Sequence, residues 1–163
     1  MRLRRRAGFT LIELLIVVAV ICLIVAIAVV NYWNAIGRAK QRRTMGDMRA
    51  LSTGIEAYAL DFGRYPPPSG FVLPEGLSLP DGNLVRAQNY LQPTYLRAVP
   101  LLDGWNSWFT YGTTTEHSDY VLRSVTLGGE AQDAPLYGPT TDFRSDIILV
   151  NGQFVQWPEG VQR

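Results

Sequence analysis

Glu13 is the residue whose chemistry most needs a partner. It lies inside the run Phe9 to Val30, FTLIELLIVVAVICLIVAIAVV, 22 residues with no other charge. As a helix that run would extend roughly 33 Å, enough to cross a bilayer core. A carboxylate inside such a segment costs a few kcal/mol or more, and acids there are rare and usually functional. A basic octapeptide, MRLRRRAG, precedes the run, and its charge stops at Gly8-Phe9. Elsewhere the chain offers little reactive chemistry: no nucleophile–base set, no phosphate loop and no metal triad. With Cys22 as the one cysteine an intramolecular disulfide is excluded, and with His117 as the one histidine no zinc site is expected.

The element that must position Glu13 is therefore the apolar run, and three readings compete for it. A basic stretch followed by an apolar one is the pattern of a secretory signal peptide, and Ala26-Ile27-Ala28 resembles a cleavage site. The run is longer than the usual 7–15 residues, however, and Glu13 sits in its first turn. A plain single-pass anchor is the second reading. Arg2, Arg4, Arg5 and Arg6 precede the run, and Arg38, Lys40, Arg42 and Arg43 follow it. The first set is closer to the apolar boundary, which favours a cytoplasmic N-terminus. That reading leaves Glu13 unexplained.

The third takes Gly8, Phe9-Thr-Leu-Ile-Glu13-Leu14 as one unit. On these residues the chain resembles the type IV filament superfamily, the type IV pilins and the type II secretion pseudopilins. The resemblance implies that a prepilin peptidase cuts between Gly8 and Phe9, and that the new Phe9 amine is N-methylated. Cutting would remove the four arginines and create a positive amine four residues before Glu13. Such an amine, from the same chain or the next subunit, is a natural counter-charge within the membrane. Breaking a pair of that kind strands one charge and costs several kcal/mol, so a growing filament can use it to select axial register. Helix-dipole stabilisation is the plainer account of an acid in a first turn, but it supplies at most about 2 kcal/mol. Assembly pairing is the better explanation of Glu13.

Helical character continues beyond Val30. Met48, Leu51, Ile55, Tyr58 and Phe62 fall at 3-4-3-4 spacing and make one apolar stripe, opposite Arg42, Arg43, Asp47, Arg49 and Glu56. A helix from Phe9 to about Phe62 is predicted, roughly 80 Å long if unbroken. Its first half is apolar all round and needs lipid or other helices; its second half must cover a head. Gly37, Gly46 and Gly54 would allow bending or close approach. The family commonly has a proline where Val30 stands, so Val30 and Asn31 are expected to stay helical. The basic cluster Arg38 to Arg43 reads as a solvated face, with contact to lipid headgroups or a neighbour's acids as the alternative.

Gly63 and Pro66-Pro67-Pro68 end the helix. Residues 69–100 read mainly as loop, with a short helix over Leu84 to Leu91. Strand signals follow at Trp108–Tyr111, Tyr120–Thr126 and Asp146–Val150, and Asn151-Gly152 joins the last to Gln153–Gln156 as a hairpin. The fold class is thus α+β: a long N-terminal helix packed on a small antiparallel sheet. Its organisation is 1–8 basic leader, 9–30 transmembrane or filament-core half, 31–62 amphipathic half and 63–163 head.

The segments AYALDFGRYPP (57–67), YLRAVPLLDGWNSWFTY (95–111) and YVLRSVTLGGE (120–130) look like the major pseudopilin of type II secretion. Asp103-Gly104-Trp105-Asn106 stands where that subgroup has Asp-Pro-Trp-Gly, and Thr126-Leu127-Gly128 where it has Ser-Leu-Gly. The tail 140–160 is longer than the subgroup's. The resemblance implies a calcium ion after the Ser-Leu-Gly turn, for which Glu130, Asp133, Asp142 and Asp146 are the available acids; calcium takes six to eight hard oxygens. The family's adjacent acidic pair is not matched, since Phe143 follows Asp142, and ordinary loop acids are the alternative. Trp105, Trp108, Phe109 and Tyr111 read as core beneath a long loop, and His117 as a surface residue.

Without residues 1–8 the chain carries 11 basic and 14 acidic residues, a net charge of −3, and shows no basic stripe with interleaved aromatics, so no nucleic acid is expected. The resemblance implies a structural subunit rather than an enzyme, held in the inner membrane with its head in the periplasm. It also implies a homopolymer that works with minor pseudopilins, an assembly platform with its ATPase, and membrane lipid. The alternatives are a surface type IV pilus or a membrane-tethered binding module that does not polymerise.

Overall fold

Helix α1 runs from Leu11 to Phe62, 52 residues without a proline. Where a crystal structure would serve, the molecule is described by a computed structural model covering residues 8–67, 72–73, 84–114, 116–128 and 137–162. The helix stops where Gly63 takes a left-handed conformation (φ 68°) and its N–H closes onto the Ala59 carbonyl at 2.8 Å, the glycine-terminated helix end. Two compact units divide the chain at Ile36 and Gly37.

In the first unit the helix side chains from Leu11 to Trp33 are exposed among the described residues. Every large apolar residue from Leu11 to Val30 is between 44% and 88% exposed, and Cys22 is exposed with them. Val30 and Asn31 are helical, as the missing proline predicts, and Asn31 donates its amide to the Ile27 carbonyl at 3.4 Å. Among the described residues α1 is long and apolar enough to cross a membrane.

In the second unit the stripe is buried: Met48, Leu51 and Ile55 are fully covered and Tyr58 nearly so. Phe62 departs from expectation and is half-exposed, because the helix ends there; it stacks on Tyr58 at 4.5 Å. A Cβ on Gly54 would come within 2.5 Å of Leu96 Cγ, so this helix glycine serves close packing.

The rest of the unit is β1 (Val72–Leu73), α2 (Val85–Leu91), β2 (Thr110–Thr114), β3 (Tyr120–Ser124), β4 (Gly138–Thr140), β5 (Ile147–Val150) and β6 (Gln153–Pro158). They form a six-stranded sheet in the order β1-β2-β3-β5-β6-β4. The central pairs are antiparallel, whereas β1–β2 and β4–β6 are parallel. The parallel edges were not expected. They are short, and Pro139 in β4 is tolerated because an edge strand has one unpaired side. The predicted hairpin is present: Asn151 and Gly152 both have positive φ (46° and 81°) between β5 and β6, the conformation that a two-residue turn requires. β2 starts later than predicted, since Trp108 instead bridges Leu102 and folds the intervening loop back. Leu51, Ile55, Leu84, Leu91, Phe109, Tyr111, Leu122 and Leu149 share one core.

Candidate functional site

At the start of α1, Thr10 and Glu13 form a reciprocal cap. Thr10 donates its backbone N–H (2.9 Å) and its hydroxyl (2.7 Å) to Glu13 Oε2, and Glu13 N–H donates to Thr10 Oγ1 at 3.3 Å. This is the capping-box arrangement, in which each residue satisfies an orphan donor of the other. The Thr-x-x-Glu spacing is its sequence sign, although the acid alone draws attention. All three bonds leave Glu13 Oε1 without a partner among the described residues. The carboxylate can therefore keep its local cap and still accept a cation on its second oxygen. Phe9 is 79% exposed beside it.

The loop between Leu102 and Trp108 is organised by Asp103, a residue whose role its sequence motif did not disclose. Its buried carboxylate accepts from the N–H groups of Trp105 (2.8 Å) and Ser107 (2.9 Å), and from the Ser124 hydroxyl (2.6 Å). Gly104 donates to Thr44 Oγ1 on α1 at 2.9 Å, and a Cβ there would meet the Lys40 carbonyl at 2.5 Å. Asn106 holds a φ of 65°, a left-handed conformation that Asn tolerates better than most residues. The aromatic quartet divides around this loop. Phe109 and Tyr111 are fully buried, Trp105 is partly buried and Trp108 half-exposed.

Of the proposed calcium acids, Glu130 and Asp133 lie outside the described residues. Asp142 is exposed, and its Oδ1 accepts the Arg144 N–H at 2.9 Å. Asp146 is fully buried; both Nε and Nη2 of Arg123 reach its Oδ2 at 2.7 Å. Arg123 is itself only 2% exposed. A divalent ion on the same carboxylate would face a buried guanidinium at short range, where like charges repel strongly. Asp146 is thus already engaged in a buried ion pair with Arg123. Among the described residues no three His, Cys, Asp or Glu side chains are grouped to hold a metal. Thr126, at φ 50°, binds the Ser145 carbonyl at 3.1 Å, and Gln156 donates to the Asp146 carbonyl at 2.8 Å. Thr126 thus ties the turn after β3 to the approach to β5, where Asp146 is held by Arg123 of β3 and Gln156 of β6.

His117 is a turn residue, partly buried, with φ 56° and its Nδ1 3.0 Å from Thr113 Oγ1. The end of the chain is also tied down. Gln41 on α1 donates to Gln162 Oε1 at 3.0 Å, and both residues are 3% exposed.

Comparison with known proteins gives two family matches. Residues 31–136 match the family described as type II secretion system (T2SS), protein G, and residues 3–29 match the prokaryotic N-terminal methylation motif. The chain is 30% identical over 134 residues to the type II secretion system core protein G of Pseudomonas aeruginosa, covering 80% of this chain and 89% of that one. It is 28% identical over 128 residues to the corresponding protein of Escherichia coli, covering 77% and 85%. The type IV major fimbrial protein FimA of Dichelobacter nodosus is 48% identical over 54 residues, but these are only 33% of this chain and 35% of that one. No solved structure matches.

Proposed function

We infer function from membership: this chain belongs to the type II secretion system protein G family, and is homologous to its major pseudopilin. We propose that it is the structural subunit of a pseudopilus that drives protein export across the outer membrane. The observation that carries the proposal is the first half of α1, whose side chains are apolar around the helix apart from Glu13 and exposed among the described residues. Such a surface is stable only in lipid or against other helices. Its burial is worth about 25 cal/mol per Å² of apolar area removed from water.

In this mechanism the subunit waits in the inner membrane with its N-terminus cytoplasmic and its head periplasmic. Prepilin peptidase cuts between Gly8 and Phe9, and the Phe9 amine is methylated; the methylation-motif match over residues 3–29 supports this step. The free oxygen of Glu13 then accepts the amine of a neighbouring subunit while Thr10 keeps the helix capped. An assembly platform with its ATPase lifts subunits into a homopolymer, with minor pseudopilins as further partners. The role is mechanical and needs no catalytic group in the head. Similarity to core protein G over four-fifths of the chain, against one-third for FimA, favours a periplasmic pseudopilus over a surface pilus.

The test is to express the chain with a complete secretion apparatus, image filaments and assay secretion in parallel. Filaments together with restored export are expected. Surface fibres without export would favour the pilus, and a membrane-held monomer would favour the binding module.

A further inference from the structure

A shallow cavity of about 280 Å³ opens between α1 and the segment that follows β6. Arg38 and Arg42 line it from the helix, one turn apart, and Pro158, Glu159 and Gly160 line it from the tail. Among the described residues neither arginine forms an ion pair, whereas the adjacent Arg43 pairs with Asp47 at 3.6 Å. The tail wall is fixed in place. Besides its bond from Gln41, Gln162 donates to the carbonyls of Thr140 (2.8 Å) and Glu159 (3.0 Å), and Glu159 N–H donates to the Thr140 carbonyl at 2.9 Å. That wall lies beyond residues 31–136, the part matched by the family.

We propose that this cavity binds the phosphate of an anionic phospholipid headgroup, with Arg38 and Arg42 as its ligands. The inference rests on membrane anchoring of the apolar helix. Arg38 follows Val30 by eight residues, so even a fully extended chain keeps it within about 28 Å of the end of the apolar run. Tyr32 and Trp33, both exposed and edge-to-face at 6.0 Å, lie between them in sequence, as aromatic residues do at membrane interfaces. Two guanidinium forks one turn apart suit a phosphate, because each offers paired N–H donors to its oxygens. Glu159 is the opposing charge; its Oε2 accepts from Trp157 Nε1 at 3.1 Å. It disfavours phosphate by repulsion, and so provides a signature that a merely solvated basic face lacks.

The experiment uses the full chain in nanodiscs of phosphatidylcholine, with and without phosphatidylglycerol. Native mass spectrometry counts retained phosphatidylglycerol, and calorimetry with inorganic phosphate is run on the phosphatidylcholine discs. Phosphatidylglycerol is expected to be retained, and Arg38→Gln with Arg42→Gln to weaken retention about 100-fold, from about tenfold for each charge-assisted hydrogen bond lost. Arg43→Gln should leave retention unchanged, and Glu159→Gln should raise it. Equal losses for Arg43→Gln and the double variant would reduce the effect to general charge and overturn the cavity. Inorganic phosphate binding as tightly as the lipid would overturn the headgroup as the source. Unchanged retention in a double variant that no longer forms filaments would assign the cavity to a neighbouring subunit's carboxylate instead. Failure to enter either disc would overturn the anchoring itself, and the proposal with it, whereas entry without retention overturns the proposal alone.

Discussion

The two halves of α1 are built on one backbone with opposite strategies. From Leu11 to Val30 every side chain is exposed and all but Glu13 are apolar or small, whereas from Gln41 to Tyr58 an apolar stripe of Met48, Leu51, Ile55 and Tyr58 is buried, with Gln41, Thr44 and Ser52 buried beside it. The second half has its solvent-excluding partner in the same chain: the core of Leu84, Leu91, Tyr111, Leu122 and Leu149. Among the described residues the first half has none, and on the proposed function its stability is supplied by lipid or by neighbouring helices. A subunit divided in this way can exchange lipid for neighbouring helices without refolding its head. Assembly and head stability should then respond to different residues.

The largest expected effect lies on the assembly side. If Glu13 accepts the amine of a neighbouring subunit as proposed, Glu13→Ala removes that acceptor, and stranding one charge costs several kcal/mol. Filament yield should fall at least tenfold by quantitative imaging, while membrane insertion and the melting temperature of the head stay unchanged. A wild-type yield, or a lower melting temperature, would break the separation of the halves.

Next is the buried ion pair of the head. Arg123→Met removes one partner of this buried charge pair, at a cost of about 3–5 kcal/mol. Replacing both, as Arg123→Met with Asp146→Leu, should recover most of that in denaturant unfolding. A chelator that leaves the wild-type melting temperature unchanged would remove calcium from the account. A chelator-induced drop would keep calcium in it.

A matched pair of truncations sharpens the comparison directly. Leu51→Ala opens the core and should destabilise the head by about 2–5 kcal/mol. Leu15→Ala, at a position 67% exposed, should leave head stability unchanged and show its effect only in the assembled filament. A destabilised head in Leu15→Ala would mean that the two halves share energy.

The smallest effect is confined to alkaline solution. Burial pushes the Tyr111 and Tyr120 phenols above their ordinary value, and a hydrogen bond to Asp61 raises Tyr95 to about 12. The folded state then holds protons that the unfolded chain releases above about pH 10. These groups contribute stability below pH 10 that is lost as pH climbs through 12. The denaturation midpoint should fall over that interval, and less steeply in Tyr120→Phe.

Much of this was legible in the residues themselves. The all-round apolar run, the helical stripe, the Asn-Gly hairpin and the position of Glu13 depend on spacing within a few turns or one hairpin. Local periodicity and turn chemistry decide those features wherever the chain ends up. Phe62 escaped the pattern because periodicity does not say where a helix stops covering its core. The edge strands escaped because their pairing partners are distant: β4 meets β6 with Pro139 opposite Trp157. Asp103 could be recognised as part of a motif, but not as a carboxylate holding two loop N–H groups and a strand hydroxyl.

By itself, then, the sequence determined a helix with an unpartnered half and an acid at its capped start. Which acid would meet which base in the head was decided only by the tertiary structure. Arg123 and Asp146 lie on neighbouring strands, β3 and the approach to β5, and Gln41 meets Gln162 across almost the entire head. Such contacts depend on strand register and on how the tail returns to α1, and burial then forces the charges to pair. The same fold that pairs Asp146 with Arg123 builds the wall opposite Arg38 and Arg42.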